Sequence, residues 1–113
     1  MSTIKNSVML IGRPGAEPEV RNFSDNKKVA RFNLAVNDSH KNADGEWVID
    51  TQWFTIVAWD KMADRVAEDV KKGKEMAIDG SLHNNGWTDD KGQHHSNTEV
   101  WIDNFFIIET KAK

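Results

Sequence analysis

A single amphipathic segment most constrains how this chain can fold, because nearly everything around it alternates like β-strand. Residues 60–72 place apolar side chains at four-residue spacing, which is the pattern of one buried helix face. Asp60 is a natural N-cap, and Gly73 can adopt the left-handed conformation that ends a helix. Lys71 and Lys72 fall in the last turn of the predicted helix, where basic side chains are favourable. The sequence therefore predicts one helix over residues 60–72.

Five other segments have the alternating apolar pattern of strands. They are residues 4–12, residues 29–36, residues 46–59, a stretch that begins at Glu75, and residues 96–108. Residues 13–19 hold both prolines and a glycine and predict a loop, while the polar residues 37–47, with an Asp-Gly turn signal, predict an exposed loop or a hairpin tip. The helix falls between the third and fourth strands. This order favours an all-β, five-stranded OB-fold, a Greek-key barrel with one helix between strands 3 and 4. A five-stranded SH3-like barrel is the alternative, and it fits the position of the helix less well.

Length and composition indicate one domain over residues 1–113, large enough to bury a core without metal or disulfide. The chain has no cysteine, which suits a reducing compartment. No apolar run approaches the roughly 20 residues that span a bilayer. We therefore expect a cytoplasmic protein, associated with the nucleoid if its ligand is DNA, that makes no membrane contact.

The titratable side chains form no recognisable catalytic or metal-binding pattern. His94 and His95 are adjacent, so on a strand they point to opposite faces and cannot chelate one ion together. His40 and His83 lack an acidic partner at ligand spacing, and no nucleophile is paired with a base. The sequence predicts no metal site, no cofactor and no enzymatic activity.

Tryptophan is the residue type that most needs placing, since the chain has five and no tyrosine. Trp53 and Trp59 share one face of the third predicted strand and lie roughly 20 Å apart. Trp87 lies in a polar stretch that offers an indole little core. Exposed indoles can stack nucleic-acid bases, each worth about 1–3 kcal/mol. The pattern alone leaves open that these indoles belong to the core or to a subunit interface.

Electrostatics argues mildly against a polyanionic ligand, because the formal net charge is −3. The distribution softens that argument: residues 1–36 hold six basic side chains against three acidic ones. Four basic residues are candidates for phosphate contacts near the tryptophan face. They are Arg13, Arg21, Arg31 and Lys61.

Six segments, in order along the chain, carry a resemblance to a known family. They are PGAEPEVR (14–21), KVARFNLAV (28–36), TQWFTIVAWDKMAD (51–64), KKGKEMAIDGSL (71–82), GWTDDKG (86–92) and TEVWIDN (98–104). Together they resemble the DNA-binding core of the bacterial single-stranded DNA-binding protein (SSB) family. The resemblance implies an OB-fold, a homotetramer, and sequence-independent binding and protection of single-stranded DNA in replication, recombination and repair.

The resemblance also implies particular stacking residues. The family's platform aromatics fall on Trp53, Trp59 and Trp87, and a further family tryptophan falls on His40, whose imidazole offers less area. Residues 83–86 carry His-Asn-Asn-Gly where the family often has arginine or lysine. Phosphate attraction there should therefore be weaker.

The end of the sequence departs from the family pattern. Members usually continue into a flexible linker and an acidic tip that recruits other proteins, whereas this sequence ends in ETKAK at Lys113. From this departure we expect reduced recruitment of replication proteins.

Two other functions compete with the SSB interpretation. One is a tail-less primosomal-type OB protein, which also binds single strands but is a dimer. The other is an OB or SH3-like module that binds protein, with Trp53, Trp59 and Trp101 at interfaces. Trp101 lies opposite Val100 and Ile102 on the last strand, and this position predicts a subunit contact.

Overall fold

The computed structural model describes residues 5–23 and 27–108 of the chain. Its elements, in chain order, are β1 (Val8–Pro14), β2 (Glu19–Asn22), β3 (Lys28–Lys41), β4 (Trp47–Trp59), α1 (Asp60–Asp69), β5 (Met76–Thr88) and β6 (His94–Ile107). Assignment of residues 1–113 to one domain stays a prediction. The terminal Lys111–Lys113, on which the recruitment expectation depends, lie outside the described residues, and that expectation also stays a prediction.

The strands form one sheet in the order β1-β5-β6-β4-β3-β2. A further pairing of β1 with β3, at Arg13 opposite Ala35 and Pro14 opposite Leu34, closes this sheet into a barrel. β4 and β6 run parallel, and the remaining pairs are antiparallel. The five strands β1, β5, β6, β4 and β3 close the barrel, and β2 is an additional strand at its edge. Without β2, the helix α1 falls between the third and fourth barrel strands, β4 and β5, as the sequence predicts. The predicted OB-fold is confirmed.

The core follows from period-two alternation on the long strands. Ala30, Phe32 and Leu34 of β3 point inwards, and β4, β5 and β6 supply the rest of the interior from their inner faces. Helix α1 adds Ala63 and Val66, both fully buried. The helix therefore packs against the barrel through the face that the four-residue spacing indicates.

The helix boundaries differ from the prediction. α1 ends at Asp69, because Val70 turns to an extended conformation and is fully buried. Lys71 and Lys72 therefore lie beyond the last turn, although Gly73 does adopt a positive φ of 78°. The cap position belongs to Trp59, and Asp60 begins the helix with a φ of 53°. Asp60 does not cap; its carboxylate accepts the backbone N–H of Lys28 instead.

Both predicted loops prove to be partly strand. β1 continues through Pro14, and the added strand β2 begins at Glu19 and pairs with β3, so of the predicted loop 13–19 residues 15–18 remain outside the strands. β3 runs to Lys41 and pairs with β4 from Val29 to its end, so the backbone groups of its polar residues are bonded to β4. The β3–β4 and β5–β6 hairpins therefore extend well beyond the core residues. No helix in the described part of the chain is long and apolar enough to cross a membrane.

Candidate nucleic-acid interface

The outer faces of four neighbouring strands, β3, β4, β6 and β5, form one continuous surface, here called the outer face. Trp53, Trp59 and Val57 of β4 point outwards, since their neighbours Ile56 and Ala58 fill the core. Register places Val57 beside Trp101 of β6. The outer face thus gathers side chains from distant parts of the sequence.

Trp53 is the most exposed of the three predicted platforms, with 60% of its surface accessible. Its ring lies over Gly15, where a methyl group would come within 2.7 Å of Trp53 Cζ3. A concave pocket beside the ring is lined by Arg31, Asn33 and Thr55 among others. The absence of a side chain at Gly15 therefore lets the indole lie against the backbone and leaves its surface open.

Trp59, Trp101 and His83 form a group of rings in contact, here called the central cluster. The Trp59 and Trp101 centroids are 5.4 Å apart with an edge-on angle of 62°. His83 stacks on Trp101 at 3.7 Å and 12°. Trp101 therefore packs against two rings of its own chain while part of its surface stays exposed, and the predicted subunit contact stays a prediction.

A buried carboxylate supports the central cluster. Glu99 is only 3% exposed, and its Oε2 accepts a hydrogen bond from Arg31 Nη1 at 2.7 Å. Its Oε1 accepts from Trp101 Nε1 at 3.2 Å. The pair with Arg31 compensates the buried charge, and the indole satisfies the second oxygen. Glu99 thus orients an indole and a guanidinium and neutralises the latter.

Trp87 lies towards the tip of the β5–β6 hairpin and is half exposed. It pairs with His95 across the strands, and the two rings stack at 5.4 Å. His95 Nε2 lies 2.8 Å from Asp89 Oδ2, while Asp89 Oδ1 accepts the backbone N–H groups of Lys91 and Gln93. The contact with His95, followed by the backbone bond from Gln93, lowers the pKa of Asp89. The carboxylate of Asp89 therefore positions the His95 ring, on which Trp87 is stacked.

The predicted phosphate contacts are not all on the outer face. Arg21 of β2 lines a pocket together with Trp59 and Arg31. Arg13 donates to the carbonyl of Gly73 at 2.8 Å, so its guanidinium is directed towards the turn after α1. Lys61 lies on α1 and lines a different pocket, beside the Lys28–Asp64 ion pair.

His40 is separated from the tryptophans by the pleat of its strand. It is paired with Val48, whereas Trp53 is paired with Ala35, and the step along β3 from position 35 to position 40 is an odd number. Uninterrupted alternation then places His40 on the opposite face of the hairpin. Its Nδ1 lies 3.4 Å from the carboxylate of Asp50.

Sequence reasoning missed several members of this surface. Trp47 continues the outward row of β4, and the ammonium of Lys41 lies 5.6 Å from the centre of its ring. The same alternation that identified Trp53 could have found Trp47. No local pattern indicates Glu99 or His83, because their roles depend on contacts between distant strands. Among residues 5–23 and 27–108, no three acidic or histidine side chains are grouped as metal ligands.

The barrel with its aromatic outer face defines a member of the OB-fold class, and comparisons then identify its family. The chain matches the Single-strand binding protein family over residues 5–108. It is 40% identical to a Streptococcus pyogenes single-stranded DNA-binding protein 1, over 96% of this chain and 80% of the relative. It is 38% identical to the single-stranded DNA-binding protein of Caldanaerobacter subterraneus, covering 95% of this chain and 70% of that protein. The chain belongs to the Single-strand binding protein family.

Two further comparisons concern length and structure. A single-stranded DNA-binding protein 1 from Chlorobaculum tepidum is 38% identical over 84% of this chain, but the match spans only 59% of that relative. The solved structure of a Plasmodium falciparum SSB in complex with ssDNA superposes with a TM-score of 0.84. Its identity is 29%, and the match covers 96% of this chain and 97% of that one. The likeness therefore extends over nearly the whole chain.

Proposed function

We propose that this chain binds single-stranded DNA without sequence preference, by stacking bases on Trp53, Trp59 and Trp87. The observation that carries the proposal is the placement of exposed indole rings on the outer face of an SSB-family barrel. Every base has a π-face, so stacking tolerates any sequence. The Plasmodium falciparum relative, solved with ssDNA, supports the same ligand class.

The arrangement favours single strands over duplex. Stacking needs bases that are not already stacked on their neighbours, which a duplex does not offer. The helix α1 contributes its apolar face to the barrel core, so it is not free to read a major groove. Arg21 supplies phosphate attraction beside Trp59, while Arg31, Arg13, Lys61 and His40 remain weaker candidates because of the positions and partners described above.

The cellular role that follows is protection of exposed single strands in replication, recombination and repair. This is a binding function without catalysis or cofactor. A DNA ligand places that function in the compartment that holds the chromosome, so we propose a cytoplasmic, nucleoid-associated protein.

We also propose that the chain assembles with copies of itself, as a homotetramer. The support is a group of exposed apolar side chains away from the tryptophans, where Met9, Ile11 and Phe106 are 81%, 57% and 64% exposed. Ile11 of β1 and Phe106 of β6 both pair with Ala77 of β5, so the three side chains lie on the two strands that flank β5. Light scattering tests the claim, and a dimer mass would instead favour the primosomal-type alternative.

A fluorescence titration tests the DNA proposal. Oligo-dT should quench tryptophan emission, and the affinity should fall on raising salt. Equal displacement of oligo-dT by duplex at the same concentration would contradict the preference for single strands. An absence of quenching and of binding would favour the protein-binding module, whose indoles would already be covered by a partner.

A further inference from the structure

The middle of the outer face carries no excess of positive charge. Glu19 and Arg31 are direct neighbours across β2 and β3, and the Arg31 guanidinium is bound to Glu99 on the other side. One guanidinium against two carboxylates gives this row a charge of −1 at neutral pH. Arg21, the next outward cation on β2, brings the sum to zero, since two guanidiniums then oppose two carboxylates. A polyanion gains little attraction from such a surface.

His83 lies within this balanced region. It pairs with Glu99 across β5 and β6, and its ring stacks on Trp101. The side chain is half-buried, so solvent and ligand can reach it. Its Nε2 lies 3.2 Å from the hydroxyl of Ser81, a neutral partner. The carboxylate of Glu99 is already engaged by Arg31 and Trp101.

The other histidines differ from His83 in partner or position. His95 lies 2.8 Å from the carboxylate of Asp89, and His40 lies 3.4 Å from that of Asp50. A proton taken up at either ring meets a negative charge that already faces it. His94 is adjacent to His95 on β6, so its side chain lies on the opposite face of that strand.

Resting on the DNA-binding function proposed above, we propose that His83 is a DNA-contacting residue whose protonation supplies the cation that the outer face lacks. The charged group paired with it is Glu99 on β6, which is bound to Arg31 of β3, and Glu19 and Arg21 lie beyond these on β2. These sum to zero, so a protonated His83 takes the region to +1. Histidine is the side chain that ordinarily changes charge between about pH 5 and 8. Single-stranded DNA therefore binds more tightly as the pH falls through that range.

The expected size of the effect follows from counterion release. Each phosphate contact by a cation adds about 0.7 to the slope of log affinity against log salt for single strands. At about 0.05 M salt, one such contact corresponds to roughly five- to tenfold in affinity. The wild-type chain should bind oligo-dT more tightly by that factor at pH 6 than at pH 8, with a steeper salt slope at the lower pH.

The experiment measures the anisotropy of labelled oligo-dT at pH 6 and pH 8, each at low and moderate salt. Thymine does not titrate across this interval, so a change in affinity reports on the protein. His83→Gln should remove most of the pH dependence, and His83→Arg should bind tightly and equally at both pH values. His94→Gln, which alters a histidine of the same hairpin on the other face, should retain the wild-type dependence. Calorimetry of wild type in two buffers of different ionisation enthalpy should show proton uptake on binding at pH 7.

Opposite outcomes separate the two proposals. Binding of equal strength at both pH values, or an unchanged pH dependence in His83→Gln, overturns the role of His83 and leaves the DNA proposal intact. Loss of the dependence in His95→Gln but not in His83→Gln assigns the effect to the histidine beneath Trp87 and equally overturns it. No binding of oligo-dT at either pH refutes the DNA-binding function itself. Because His83→Arg is expected to gain affinity at pH 8, unfolding cannot imitate the predicted result.

Discussion

The central cluster and the two outlying tryptophans, Trp53 and Trp87, present aromatic rings on the same outer face but hold them differently. Trp59 and Trp101 contact each other, and Trp101 also contacts His83 and a carboxylate that is 3% exposed. Trp53 lies against the backbone at Gly15, and Trp87 has one stacked neighbour on a hairpin.

The difference lies in how many contacts fix each ring. Rings that are fixed by packing and a buried hydrogen-bond network contribute to folding as well as to binding. Rings that are largely exposed contribute little to folding, so their surface is available to a ligand. Stability and affinity should therefore separate between the two regions, and the following substitutions test that separation.

The largest effect is expected at the buried carboxylate. Glu99→Ala should lower the free energy of unfolding by about 2–4 kcal/mol, because it leaves a cavity, an unpaired Arg31 and an indole N–H without its acceptor. Urea unfolding followed by circular dichroism measures the change. Glu19→Ala removes the exposed carboxylate on the other side of Arg31 and should cost less than about 0.5 kcal/mol. Equal losses in the two variants would contradict the structural role given to burial.

At the outlying tryptophans we expect the reverse pattern. Trp53→Ala and Trp87→Ala should each weaken oligo-dT binding by about 1–3 kcal/mol, since each removes one stacking platform. The free energy of unfolding should change by less than about 1 kcal/mol, because both rings are largely exposed. Leu82→Ala, an exposed apolar side chain on the other face of β5, is the matched control and should leave affinity unchanged. If either tryptophan variant unfolds, that indole is structural.

A smaller effect is expected where Trp53 meets the backbone. Gly15→Ala places a methyl group 2.7 Å from Cζ3 of the indole, so the ring must move. Because the ring is at the surface and can rotate, the cost to stability should be small, while affinity for oligo-dT should fall by roughly 0.5–1 kcal/mol, a fraction of one platform. The same substitution in a Trp53→Ala background should have no further effect on affinity. An additive loss would show that Gly15 acts on DNA independently of the indole.

The smallest effect is expected at Trp59, the exposed member of the central cluster. Trp59→Phe keeps an aromatic face, so affinity for oligo-dT should change by less than about 0.5 kcal/mol. The smaller ring loses part of its edge contact with Trp101, which should lower stability slightly. Affinity and unfolding are measured as for the other variants. A loss of affinity as large as that of Trp53→Ala would place Trp59 with the outlying tryptophans in function.

Much of the barrel could be predicted from local pattern. The helix, the order of the main strands and the shared face of Trp53 and Trp59 all follow from periodicities of four and two that short stretches of chain carry by themselves. Boundaries were less accurate: β3 continues through polar residues to Lys41, and α1 ends before Lys71. In both places tertiary contacts outweighed composition, through strand pairing in the first and burial of Val70 in the second.

The site divides in the same way. By itself the sequence determined which side chains could face outwards, and it identified Trp53, Trp59 and Trp87 as candidates. Only the tertiary structure decided that Arg31 is neutralised by Glu99, 68 residues away, and that His83 stacks on Trp101. Such pairs depend on the register of β4, β5 and β6 after the barrel closes, including the irregularity between Asp79 and Gly80. The face on which a side chain lies follows from alternation within one strand. The side chain that it contacts on a neighbouring strand depends on how the two strands are aligned, which no local pattern in either strand specifies.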